Sequence, residues 1–220
     1  MNSPILQLLV LAGIAIFLIL RLKSVLGTRD GFEGPPSRTN PANGPTTRRE
    51  FEVIEGGPDH DIIDHVAEDS DSAAALAEMK RIEPDFSVST FLQGAREAYE
   101  MILMAFEKGK LDEVMPFMDR DVYETFAQVV DEREKEGLTI EAEFIGVRDL
   151  ELAEARFDPE TRRAEIDVRA VAELVSVVRD AEGEIVEGEP GKPKRQKDLW
   201  TYERIMGSDD PNWRLVATGE

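Results

Sequence analysis

The spacing of apolar residues changes period once along this chain, at Gly137, and that switch limits the fold more than any other feature. Before it, Phe91, Ala95, Tyr99, Ile102, Leu103 and Phe106 recur every three to four positions, with Arg96, Glu97, Glu100, Glu107 and Lys108 on the other face. That is the stripe of an amphipathic helix. Ser87-Val88-Ser89-Thr90 offers it an N-cap, and Gly109 a stop. Shorter helices are predicted over residues 72–82, stopped by Glu83-Pro84, over 111–118, interrupted at Pro116, and over 122–136 behind Asp119 or Asp121. After Gly137 the period is two. Strands are predicted over residues 140–152, 163–179, 184–187, 197–205 and 213–218. The second alternates Ala164, Ile166, Val168, Ala170, Ala172 and Leu174 with Arg163, Glu165, Asp167, Arg169 and Glu173. Helices first and strands after predict an α+β domain over residues 72–220: N-terminal helices packed on a curved antiparallel sheet, a cone with an apolar interior.

Charge narrows the function. The chain of 220 residues carries 46 Asp+Glu against 26 Lys+Arg, a net charge of −20. Such a chain has no electrostatic footprint for duplex DNA. It has no cysteine, which excludes disulfides, thiolate nucleophiles and iron–sulfur clusters. Its two histidines, His60 and His65, lie outside the domain expected to fold. Their five-residue spacing does not place them on one helical turn, so a metal site there is not expected.

The basic excess sits beside an apolar N-terminus. Residues 5–20 read ILQLLVLAGIAIFLIL. Residues 4–22 as a helix cover about 28 Å, enough to cross a hydrocarbon core of roughly 30 Å. No cation precedes this run, and Arg21, Lys23 and Arg29 follow it, so an uncleaved anchor is expected rather than a signal peptide. By the positive-inside rule the N-terminus lies outside an inner membrane and the C-terminal domain on the cytoplasmic or matrix face. Residues 23–71 are rich in Pro and Gly, then acidic, and predict a disordered linker. Within it Phe51, Val53 and Ile54 form an apolar island, either random scatter or a docking motif that orders on binding.

No phosphate loop, dinucleotide fingerprint or nucleophile elbow is present, and a non-enzymatic chain without cofactor is expected. Two kinds of contact residue stand out. Tyr99, Phe106, Trp200, Tyr202 and Trp213 are candidates to line a pocket for a hydrophobic peptide or lipid, with plain core packing as the competing role. Lys192, Lys194, Arg195 and Lys197, in the loop GKPKRQK, are candidates for lipid head groups or an acidic partner, against a solvated hairpin tip.

Five segments carry a family resemblance: FLQGAREAY, DVYETFAQVVDEREKEG, IDVRAVAELVSVVRDAEG, LWTYERIM and DPNWRLVATGE. Together they resemble the alphaproteobacterial TimA family, bacterial relatives of the mitochondrial inner-membrane import subunit Tim-forty-four, over residues 72–220. The resemblance implies a cone-like fold similar to nuclear transport factor two. It also implies an inner-membrane adaptor, since the mitochondrial member ties a chaperone motor to the translocation channel and other relatives hold the mitochondrial ribosome at the membrane. The expected role is therefore a membrane-anchored scaffold in protein translocation or inner-membrane complex assembly, with inner-membrane proteins or translocation machinery as partners. The alternative is a lipid or hydrophobic-ligand carrier using the cone.

Overall fold

A computed structural model describes residues 59–219. The expected anchor over 4–22, most of the expected linker and the island Phe51, Val53, Ile54 lie outside the described residues. Among the described residues no helix is long and apolar enough to cross a membrane.

The chain orders earlier than its composition suggests. Residues 59–71, expected as the end of the linker, open with a short helix, α1 (His60–Ile63), capped by the Asp59 side chain. Ile62 is buried and Val66 packs on the same core. The Asp61 carboxylate accepts hydrogen bonds from the backbone N–H of Val88 at 2.8 Å and of Ser89 at 3.0 Å. Those two amides open the next long helix, where no carbonyl precedes them to serve as partner. Two apolar residues and one carboxylate thus fix a segment whose acidity hides them.

Helix α2 (Asp71–Ile82) begins at Ser70, whose hydroxyl accepts from Ala73 N–H, and ends at Glu83, extended ahead of Pro84. Helix α3 (Val88–Glu107) is capped by Ser87 Oγ, which accepts from Thr90 N–H at 3.2 Å. It ends at Gly109, whose φ of +68° lets Lys110 N–H return to Ala105 O at 2.8 Å. A side chain there would be strained, and its Cβ would meet Val130 Cγ1 at 3.3 Å.

The helix expected over 111–118 is instead two 3-10 turns, Leu111–Glu113 and Met115–Phe117. Pro116 has no N–H to give an i→i−4 bond, so the tighter turn results. Met118 then bridges Leu215. Helix α4 (Arg120–Lys135) follows, capped by Asp119, which accepts from Asp121 N–H.

Five strands form one antiparallel sheet: β1 (Thr139–Asp158), β2 (Arg163–Arg179), β3 (Ile185–Glu187), β4 (Lys194–Ile205) and β5 (Arg214–Gly219). Their order is β1-β2-β4-β5, with β3 beside the end of β2. β1 runs six residues past the expected Leu152, staying paired with β2 to Asp158, and its register shifts at Phe144/Gly146, Val147/Asp149 and Leu152/Glu154. Each shift reverses which residues face inward, so alternation alone loses the strand.

The two faces of β2 divide the labour. Ala164, Ile166, Val168, Ala170 and Ala172 face inward, each at 2% exposure or less, in one core with Leu76 and Met79 of α2 and Tyr99 and Ile102 of α3. The outward face carries cross-strand ion pairs: Arg156 with Asp167 at 3.0 Å, Arg163 with Glu203 at 2.6 Å, Arg169 with Glu151 at 2.8 Å, and Arg148 with Glu173 at 2.6 Å. The mixture of helices and antiparallel sheet is an α+β fold.

Candidate functional site

The aromatic pocket candidates divide into two groups. Four belong to one chain of rings along the inner face of β4. Tyr99 of α3 meets Trp200 at 4.6 Å between centroids, and Trp200 meets Tyr202 at 6.4 Å. Phe91 then links Tyr202, edge-on at 6.0 Å, to Trp213 at 4.7 Å. Tyr99, Trp200 and Tyr202 are 1%, 4% and 2% exposed, so a ligand would reach them only by displacing neighbouring rings. Both tyrosine hydroxyls are satisfied, that of Tyr202 by donating to Ala95 O at 3.4 Å. The Tyr99 hydroxyl donates to Asp198, which also accepts from Gln196 Nε2 at 3.2 Å. Burial, then the Asp198 carboxylate, push the Tyr99 hydroxyl far above the ordinary tyrosine value; burial alone does so for Tyr202. Both are neutral donors at any working pH.

Phe106 stands apart. Its ring packs on Phe126 of α4 at 4.8 Å, with the Arg133 guanidinium 4.3 Å from its centroid.

Trp213 is half-buried and belongs to a structural latch. The Arg204 guanidinium lies 5.7 Å from its ring, bonds the Glu83 carboxylate, and donates to Pro211 O at 3.2 Å. Glu83 also accepts from Gly207 N–H. Burial opposes ionisation of Glu83, but the Arg204 and Gly207 hydrogen bonds override it and hold its carboxyl below the usual range. The DPNW segment is shaped by Asp210, which accepts from both Asn212 N–H and Asn212 Nδ2. The end of α2 is thereby tied to the β4–β5 turn.

The basic cluster is not a loop, and little of its charge is free. Lys194, Arg195 and Lys197 lie on β4, and only Lys192 sits in the turn before it. β4 begins three residues earlier than alternation suggests because Lys194 pairs with Leu174 across the sheet. Lys192 pairs with Glu189 at 3.0 Å, Lys194 with Glu187 at 3.9 Å, and Arg195 with Glu173 at 3.2 Å. Lys197 is exposed.

A surface cleft of about 290 Å³ opens elsewhere, between the C-terminal half of α3 and the 3-10 turn at Leu111. Met101, Met104, Ala105 and Val114 form its apolar walls, and Lys108, Lys110 and Glu113 its polar rim. Sequence reasoning placed Lys108 on the polar face of α3 and did not single out Met101, Met104 or Lys110. A Met-x-x-Met pair on an otherwise polar helix face was the signal that could have found them.

No cluster of three His, Cys, Asp or Glu arranged to hold a metal occurs among the described residues. His65 Nε2 instead lies 3.2 Å from Ser89 Oγ, and His60 is exposed.

The described residues thus combine a packed aromatic core, an ion-paired sheet and a shallow Met-lined cleft. The family model of the Tim44-like domain matches residues 72–220, and the chain belongs to that family. It is 26% identical over 159 residues to the human mitochondrial import inner membrane translocase subunit TIM44, and 24% to the rat protein. Each match covers 71% of this chain and 35% of the relative, so the chain spans about a third of their length. Among solved structures, the intermembrane space region of the chloroplast protein ARC6 superposes at a TM-score of 0.39 with 14% identity, over 58% of this chain and 94% of that one.

Proposed function

We propose that this chain is a membrane-tethered, non-enzymatic adaptor in protein translocation or inner-membrane complex assembly. The observation that carries the reading is the Tim44-like domain over residues 72–220, shared with translocase subunits of the inner membrane. The apolar run over residues 5–20, followed by Arg21 and Lys23, supports a single-pass anchor that keeps the domain on the cytoplasmic or matrix face. Partners are then inner-membrane proteins or translocation machinery. On this reading the anchor tethers the domain to the membrane.

The competing reading, a hydrophobic-ligand carrier using the interior, has less support. Of the rings that would line its pocket, Tyr99, Trp200 and Tyr202 pack in a row on one another and are core residues in the structure. The test is crosslinking in native membranes followed by extraction in mild detergent. Co-recovery of translocation or membrane-complex components is the expected result. Reproducible recovery of the chain alone overturns the adaptor reading.

A further inference from the structure

An acidic domain repels acidic partners except where some of its cations are left unspent. Residues 91–220 hold 18 basic and 32 acidic residues, a net charge of −14. Most arginines of the sheet are neutralised by neighbouring strands, and Lys192, Lys194 and Arg195 by nearby carboxylates. Lys108 and Lys110 differ. Both are exposed, neither forms an ion pair among the described residues, and both border the cleft walled by Met101, Met104 and Val114. Glu113 is the one carboxylate lining it.

The apolar part of the cleft is open as well. Met101 is 39% exposed, and Met115, next to Val114, is 52% exposed. Unbranched thioether side chains adapt to varied apolar shapes, which is why methionine recurs at binding surfaces of broad specificity. Apolar walls beside two unpaired ammonium groups match a ligand with the opposite arrangement: apolar side chains next to carboxylates.

We propose that this cleft docks an acidic amphipathic peptide segment of a partner protein, its apolar side chains among Met101, Met104 and Val114 and its carboxylates on Lys108 and Lys110. A peptide fits better than an anionic bilayer. Screening extends only about 8–10 Å at physiological salt. A peptide meets the local field of the two lysines, whereas a bilayer surface brings the many neighbouring carboxylates against its own charge. The proposal deepens the adaptor reading and rests on it, by naming the chemistry of one partner contact.

The test uses the full chain in zwitterionic nanodiscs and a labelled synthetic helix-forming peptide, with leucines on one face and glutamates on the other. A counterpart with lysine in place of glutamate is the control. Fluorescence anisotropy should show binding of the glutamate peptide, weakened by salt, and not of the lysine peptide. The double variant Lys108→Glu/Lys110→Glu should lose about tenfold or more in affinity, while Lys192→Glu/Lys194→Glu binds as the wild type does. Equal binding by the wild type and the Lys108/Lys110 variant overturns the proposal, as does preference for the lysine peptide. Binding to phosphatidylglycerol vesicles that the same variant abolishes, with no peptide binding, also overturns it and assigns the cleft to lipid. Failure here alongside successful recovery of membrane partners removes the cleft and leaves the adaptor reading standing.

Discussion

The two ends of α3 are built for different tasks. At the N-terminal end, Asp61 satisfies the first amides, Phe91 sits between Tyr202 and Trp213, and the Arg204–Glu83 pair closes the turn below. At the C-terminal end, Met101 and Met104 face an open cleft and Lys108 and Lys110 have no carboxylate partner among the described residues. One helix thus passes from a region of packed rings and paired carboxylates to one where two methionines and two lysines are left open beside a cleft. Where side chains are packed and paired internally, substitutions cost stability; where they are exposed and unpaired, they cost stability little and bear on contact.

The largest effect expected from this contrast is at Phe91. It is 7% exposed and joins three of the buried aromatic residues to Trp213. Phe91→Ala should destabilise the domain by roughly 3–5 kcal/mol, since a cavity remains where the ring was. Chemical denaturation read by tryptophan fluorescence measures it directly, because Trp213 touches the deleted ring. A loss below about 1 kcal/mol would mean that this end is as loosely built as the other.

A smaller effect is expected at Asp61. Burial raises its carboxyl, but the Lys80 ammonium and the hydrogen bonds from Ser89 and Val88 outweigh it and hold the group well below the ordinary value of 3.8. Asp61→Asn should therefore cost about 1–2 kcal/mol, the size of a helix cap. The sign of the pH dependence follows from the lowered value. The contribution is complete above pH of about 4, where the unfolded carboxylate is also ionised, and is lost progressively as pH falls below that. Denaturation midpoints of wild type and Asp61→Asn should therefore differ at pH 7 and draw together in acid. A gap that stays constant down to strong acid would separate the Asp61 contacts from its charge.

These ends were unequally legible in the sequence. β2 was read to its limits because residues 163–174 alternate in one unbroken register against β4. β1 was read short because three register shifts, set by packing across the sheet, break its alternation. Residues 59–71 were read as linker because composition averages over acids, whereas a single carboxylate facing the amides of residues 88 and 89 decides the fold there. The aromatic candidates were found as a set with pocket lining and core packing both open, since periodicity places a ring on a face without saying whether that face is filled. Charge was the least legible quantity. Lys192, Lys194 and Arg195 stood out as a run, but strand pairing and the preceding turn put Glu173, Glu187 and Glu189 beside them. Lys108 and Lys110 were inconspicuous, and their unpaired state depends on which elements the fold leaves away from them.

The smallest stability effect is expected at Met101, which sharpens the contrast from the other side. Its side chain is 39% exposed at the cleft mouth, so Met101→Ser removes little buried surface and leaves no enclosed cavity. The cost should stay within about 0.5 kcal/mol, the range of ordinary surface substitutions. The same change deletes one of the apolar walls of the cleft, so affinity for the glutamate–leucine peptide should fall while the denaturation midpoint holds. A paired measurement of midpoint and peptide affinity on this variant distinguishes the two cases. A midpoint that drops as far as that of Phe91→Ala would show Met101 to be part of the core, and the cleft to be a feature of packing rather than a surface for contact.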